Sequence, residues 1–411
     1  MSAARPPKGA QHGSAQHERT PESKAPARLG LVVIFGSTFL ELVGYFMLLP
    51  LLLLRLKDAG VSTSVAGLFA ATGWAGIFLF TPFASWFAQK MGRRPTLWLA
   101  AAIPALASLG FALTDALPVW FALELLAGAA AGLRWVLAEA VVAEFSAPQH
   151  RGRNIGLFET MVGTTFIIGP ALLVWIGPME AAAFWAVTAF MVSGLLFSLF
   201  IPSLPAASDE QQTTVGVRGV WWALRRHPII MLAGFVGGFF ESGITSILPL
   251  YGLALGLGAA GAALLVSASG LGSTMMMLPV GMLADRWTDQ AKGRRSMMMV
   301  LAGATLLATC VLPFVAHLTW LAWPIVFLWG GAGGSLYTLA MIDIGSREQG
   351  ITLVNSTAVL VLSYTLGGMI ASAASGALLQ WSPLLGFPLL LCAVALVGWI
   401  ALLRTRNQAE I

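Results

Sequence analysis

Five carboxylates and one guanidinium stand inside long apolar runs of this chain. Glu41 lies within 29–56, Glu124, Arg134 and Glu139 within 118–144, Glu159 within 155–177 and Glu241 within 228–251. A charged side chain at the centre of a membrane-spanning helix costs about 2.5–3.5 kcal/mol on insertion scales. Such residues therefore mark proton relays or substrate contacts unless they serve packing as protonated, hydrogen-bonded groups. Glu41, Glu241, Glu124 and Glu139 are the candidates for proton coupling. The polar stripes Ser37-Thr38-Glu41-Gly44-Tyr45 and Gly234-Gly237-Gly238-Glu241-Thr245 recur at 3–4 spacing in otherwise apolar helices. At about 100° per residue, Arg134 points roughly 80° from Glu124 and 140° from Glu139. It is poorly placed to pair within its own helix. A carboxylate from another helix is expected, Glu41 first, then Glu241 or Glu159. Arg134 is then either a substrate anchor and pKa tuner or half of a structural ion pair. Trp135, Tyr45, Thr245, Tyr337 and Tyr364 are the other candidate substrate contacts. Glu144, Glu159 and Asp343 lie near helix ends and suit interfacial or gate contacts.

The elements that must position these groups are helices. The chain has 411 residues, of which 57% are hydrophobic and 10% charged. Twelve apolar runs of about 20 residues or more occur, near 29–56, 62–88, 95–113, 118–144, 155–177, 181–201, 228–251, 260–284, 296–316, 320–342, 351–379 and 384–403. Each is long enough to cross a bilayer, and in lipid such runs form helices because their backbone groups have no water to bond. The chain therefore reads as an all-α membrane protein. Residues 1–28 are polar and contain four prolines, so they read as a disordered tail. Cys310 and Cys392 fall inside spans and suggest neither a disulfide framework nor a metal site. The histidines lie in the tail, in loops or near helix ends, so no metal or other cofactor is expected. Met275–Met277 spread around a helix and cannot form one ligand face.

With the N-terminus in the cytoplasm, twenty of the 23 Lys and Arg residues fall in cytoplasmic segments. That asymmetry sets the orientation, with both termini cytoplasmic. The net charge of +5 is thus a topology signal and not a nucleic-acid signal.

Landmarks repeat about 200 residues apart. "FLEL…LLPL" in the first span matches "FFES…ILPL" in the seventh, and each is followed by a Pro and a "GRR". Internal repeats are how many transporters are built, with the substrate near mid-membrane at the repeat interface. The expected domains are an N-terminal bundle (29–201), a cytoplasmic linker (202–227), a C-terminal bundle (228–404) and a short tail (405–411). Trp221, Trp222, Arg225 and Arg226 make the linker either a surface helix or a plain solvated segment.

With these landmarks in place, the chain resembles the major facilitator superfamily from about residue 29 to 404. The family's loop pattern, G-x-L-a-D-r-x-G-r-[rk], appears as "GMLADRWTDQAKGRR", with Gly281, Asp285 and Arg286 followed after an insertion by Gly293, Arg294 and Arg295. The first copy, "SWFAQKMGRR", keeps Gly92, Arg93 and Arg94 but has Ser85 for Gly and Gln89 for Asp. The stretches 126–173 and 336–380 resemble the YcaD-like branch. There the fourth span usually carries an Arg tied to proton coupling where this chain has Glu124. Gly169-Pro170 resembles the end of an antiporter motif in the fifth span.

The resemblance implies two pseudo-symmetric six-helix bundles, with spans 1, 4, 7 and 10 around a central cavity. The polar stripes of spans 1 and 7 agree with Glu41 and Glu241 facing a wet cavity of that kind. It implies that the loop motif is a cytoplasmic latch. The expected function is secondary transport of a small amphipathic molecule across the cytoplasmic membrane by alternating access, coupled to protons and directed outward. An uncoupled facilitator or exchanger is the first alternative, and a transporter-like receptor or scaffold the second. Neither enzymatic chemistry nor nucleic-acid binding is expected. A monomer in the lipid bilayer is expected, with a small-molecule substrate and protons as its partners.

Overall fold

A computed structural model describes residues 21–61, 63–177, 180–203, 214–243, 248–257, 259–287, 289–315, 318–382 and 385–408. The first bundle comprises α1 (Pro21–Asp58), α2 (Thr63–Phe80), α3 (Ala84–Met91), α4 (Arg93–Leu113), α5 (Leu117–Phe145), α6 (Arg151–Ile176) and α7 (Ala181–Ser198). The linker contributes α8 (Gly216–Arg226). The second bundle comprises α9 (Pro228–Gly238), α10 (Leu248–Ala254), α11 (Ala259–Asp285), α12 (Gln290–Val315), α13 (Ala322–Arg347), α14 (Gly350–Trp381) and α15 (Gly386–Gln408). Ten helical segments among the described residues are long and apolar enough to cross a membrane.

Three expectations about the elements change. Helix α1 starts at Pro21, eight residues before the expected boundary; residues 1–20 lie outside the described residues. The second span is broken at Thr81–Phe83, a 3₁₀ turn containing Pro82. Proline removes one helical N–H and crowds the preceding turn, which ends α2 there. The seventh span is broken too. A π-helical turn, Phe239–Gly243, follows α9 and carries Glu241. Such turns are rare and concentrate at functional positions because they re-aim a side chain. Thr245 lies outside the described residues.

The described C-terminal part of the linker contains a helix, Gly216–Arg226. Helix α8 rests Gly219 and Ala223 inward while Trp221 and Trp222 stay exposed, with Arg225 stacked 4.8 Å over Trp221. Cys310 and Cys392 bring their thiols to 3.4 Å between α12 and α15, as free cysteines.

The bundles meet chiefly where α6 runs along α11. Small residues let membrane helices approach closely. Gly152 and Gly281 face each other, and a Cβ on either would collide with the other's carbonyl. Farther along α6, Gly163 still touches Thr274 of α11, but Gly169 already packs on Phe46 of α1. The bundles are thus closed together at the end carrying the basic loops.

Candidate functional site

Helix α5 contributes Trp135 and Glu139, one turn apart on one face. The Trp135 indole N–H donates to Glu139 Oε1 at 2.5 Å. From the opposite bundle, the Tyr337 hydroxyl of α13 donates to the same carboxylate, 2.7 and 2.8 Å from its two oxygens. Glu139 and Tyr337 are both buried. Glu159 of α6 lies against the Glu139 carboxyl. A hydrogen bond between two carboxyl groups needs a proton on one of them, because an ionised carboxylate only accepts. Apart from a proton shared with Glu139, no donor among the described residues reaches the buried Glu159 Oε1.

Glu241 stands on the far side of the same cluster. Tyr364 of α14 donates to its Oε2 at 3.0 Å, and Ser273 of α11 donates to its Oε1. The rings of Trp135, Tyr337 and Tyr364 form a triangle. Tyr337 and Tyr364 lie 5.0 Å apart, Trp135 and Tyr364 5.9 Å, and Trp135 and Tyr337 6.3 Å. Trp135, Tyr364 and Glu241 are only half-buried. Glu139 lies six residues before the end of α5, about 9 Å along the helix. The cluster therefore sits on the basic side of the middle of the molecule, where the bundles close.

Glu41 is elsewhere, which corrects the expectation that it faces a wet cavity. It lies inside the first bundle against Gly194 of α7, and Arg134 Nε sits 2.6 Å from its Oε2. Only 4% of the Arg134 and 7% of the Glu41 side chain is exposed. The contact is an ion pair held by charge, without an aligned hydrogen bond. Arg134 further donates to Ser37 Oγ at 2.9 Å and to the Leu97 carbonyl at 3.4 Å. Its guanidinium is enclosed within one bundle, 4% exposed. The inter-helix carboxylate that a buried Arg demands is thus Glu41, and Arg134 offers no free edge to a substrate. Glu124 and Tyr45 also lie apart from the cluster, both over Gly73 of α2.

At the basic end the bundles are bridged by carboxylates on helix N-termini, where free backbone N–H groups and the helix dipole favour negative charge. Asp285, at the end of α11, accepts from the backbone N–H of Gly152 and Arg153, both at 2.8 Å, at the start of α6. In the first motif copy, Gln89 stands at the matching position. There Glu144 of α5 accepts from the Gly350 N–H at 2.6 Å, at the start of α14, and is paired with Arg93. Gly92 has φ of +89°, a conformation that suits glycine, at the turn into α4. Arg94 donates to the Leu199 carbonyl and lies over Trp98. Arg294 pairs with Asp343 at 3.0 Å, and Arg286 is exposed. Arg295 is half-buried at the start of α12. Ser85, standing where the family motif has Gly, accepts from the Gly216 N–H at 2.9 Å and so ties α8 to α3. Below α8, Glu348 accepts from Arg226 at 3.3 Å and Ser356, and lies 2.8 Å from His227 Nε2.

The sequence brought Trp135, Glu139, Glu241, Tyr337 and Tyr364 forward but missed two neighbours. Glu159 read as a gate residue because it falls near the end of an apolar run. Ser273 gave no signal, being one small residue among many in α11. The bridging of α14 by Glu144 was equally hidden, since only folding sets a helix end against another's start.

Two helical bundles, repeated in sequence and with buried acids between them, have the form of a membrane transporter fold. A model of the Major Facilitator Superfamily matches residues 34–351, and the chain belongs to that superfamily, in its YcaD-like branch. It is 25% identical over 339 residues to the uncharacterized MFS-type transporter YfkF of Bacillus subtilis, covering 81% of this chain and 84% of the relative. It is 25% identical over 361 residues to YcaD of Salmonella arizonae, covering 86% and 90%. Among solved structures it superposes on FucP in the outward conformation with a TM-score of 0.77 at 16% identity, covering 93% of this chain and 99% of FucP. The human organic anion transporter MFSD10 gives 0.74 at 18% identity, covering 92% and 99%. The chain is a multi-pass integral membrane protein and a transporter of this superfamily.

Proposed function

We propose that this transporter is a proton-coupled exporter of a small amphipathic molecule, with the basic loops on the cytoplasmic side. One observation carries the reading: Glu139 of the first bundle is hydrogen-bonded to Tyr337 of the second while lying against Glu159. Rocking of the bundles must break the Tyr337 bond, because its two ends belong to different bodies. Glu139 then loses a donor and changes its tie to Glu159. A proton shared between these carboxyls is held in one arrangement and released in the other. Asp285 and Glu144 are the latches that hold the cytoplasmic side closed in the conformation described. Glu41 and Arg134 keep the first bundle rigid as it moves.

Everted vesicles with an imposed pH gradient test this. Adding a transported compound should collapse the gradient in wild type and not in Glu139→Gln. Counterflow of the compound with no proton movement in wild type would replace coupling with uncoupled exchange.

A further inference from the structure

We infer that the central cluster selects a lipophilic organic cation and rejects an anion of the same shape. The inference rests on the reading of this cluster as the substrate site. The acidic groups alone would not identify a ligand. Three further observations do.

First, the cation that sequence places nearest is already consumed. Arg134 is locked to Glu41, Ser37 and Leu97 within the first bundle, and it points about 140° around α5 from Glu139. It cannot neutralise the cluster or anchor an anion there. Second, apart from a proton shared with Glu139, no donor among the described residues reaches the buried Glu159 Oε1. A buried oxygen left this way is costly, and an approaching positive group relieves it. Third, the rings of Trp135, Tyr337 and Tyr364 stand 5.0–6.3 Å apart between the Glu139 and Glu241 carboxyls. Each ring's polar atom is already bonded to one of those two carboxyls, which fixes the rings in place. Aromatic faces attract cations, more strongly where water is excluded. In the closed form the rings pack on one another, so a cation enters when the bundles part; it then gains their faces and three carboxyl groups and displaces the shared proton. An anion meets the same carboxyls, and the Trp135, Tyr337 and Tyr364 donors are already taken.

Tetraphenylphosphonium and tetraphenylborate have one shape and opposite charge, so they isolate this term. Binding of labelled tetraphenylphosphonium to the purified full-length chain in nanodiscs should be saturable. Equal free tetraphenylborate should leave it in place. Affinity should rise as pH rises, by up to tenfold per unit, with about one proton released per cation bound in weakly buffered solution. Glu241→Gln and Glu159→Gln should each weaken binding at least tenfold while eluting and melting like wild type.

The pH series needs no variant, so it decides even where a substitution harms folding. Absent saturable binding, equal displacement by the borate, or affinity independent of pH overturns the inference. The transport reading is separable. If phosphonium binds as described but moves no protons in everted vesicles, the cation site stands and coupled export falls. If an anionic compound collapses the gradient and phosphonium does not bind, coupled export stands and cation selection falls.

Discussion

Arg134→Met should unsettle the first bundle, and Glu41→Leu added to it should restore most of the loss. The single substitution keeps the side-chain stem and removes the charge. It leaves Glu41 against Gly194 with 7% of its side chain exposed, too enclosed to recover hydration. Breaking a buried pair from one side costs about 3–5 kcal/mol. Losing the bond to Ser37 adds about 1 kcal/mol. Denatured helices in lipid find other polar partners, which pulls measured values toward the low end. A net cost near 3 kcal/mol follows, or roughly a hundredfold in the folding equilibrium. The double substitution removes both charges and keeps the volume nearly constant. It should lie within about 1 kcal/mol of wild type, since apolar replacement of a buried pair is often neutral. The coupling energy between the two sites is then about 2 kcal/mol or more. Steric trapping in bicelles, or helix content along a denaturing-detergent titration, measures it. Transport by the double variant should survive, because neither residue touches the central cluster. A double variant as unstable as Arg134→Met alone refutes the pairing as the reason a carboxylate is tolerated in α1.

Three other outcomes follow from the geometry. Glu144→Gln should loosen the closed side as much as Asp285→Asn does, and both more than Gln89→Ala. Spin-label distances between the start of α6 and the end of α11, and between the end of α5 and the start of α14, read this directly; a silent Glu144→Gln removes its role as a latch. Glu348, outside the spans, is pushed up by burial, but the donors His227, Ser356 and Arg226 outweigh burial and hold its carboxyl below the ordinary value. A lowered carboxylate stabilises fully above its ordinary pKa of 4.5 and loses that contribution as pH falls through the lower folded value. The Glu348 contribution to docking of α8 should therefore be full above about pH 4.5 and weaken below it. A fluorophore at Arg218→Cys, with Cys310 and Cys392 replaced by Ser, reports it, and Glu348→Gln should already be loosened at neutral pH. Deleting residues 2–20 should leave insertion and transport within about twofold of wild type, because surface segments without apolar periodicity contribute little to stability. Joint loss of expression and activity would tie the tail to the fold.

The twelve spans were legible in the sequence because lipid imposes a length and a composition on any helix that crosses it. The two bundles were legible because the chain repeats its landmarks. The membership of Trp135, Glu139, Glu241, Tyr337 and Tyr364 in a special set was legible because polar and aromatic groups stand out in apolar helices. Partnership was not, because pairing depends on the rotation of each helix about its axis and on which bundle it belongs to. Glu41 and Glu241 occupy matching places in the repeat, yet one is paired with Arg134 and buried, while the other has no such cation among the described residues and is held half-buried by Ser273 and Tyr364. A π-helical turn sets Glu241 apart, and no residue type in that stretch required it. Glu159 and Glu144 both fall near the ends of the apolar runs and look alike in sequence, although α6 begins eight residues before Glu159. Folding turns the first toward Glu139 and the second onto the first turn of α14. Composition decided which groups had to be buried; only the packing of separate helices decided what each one meets.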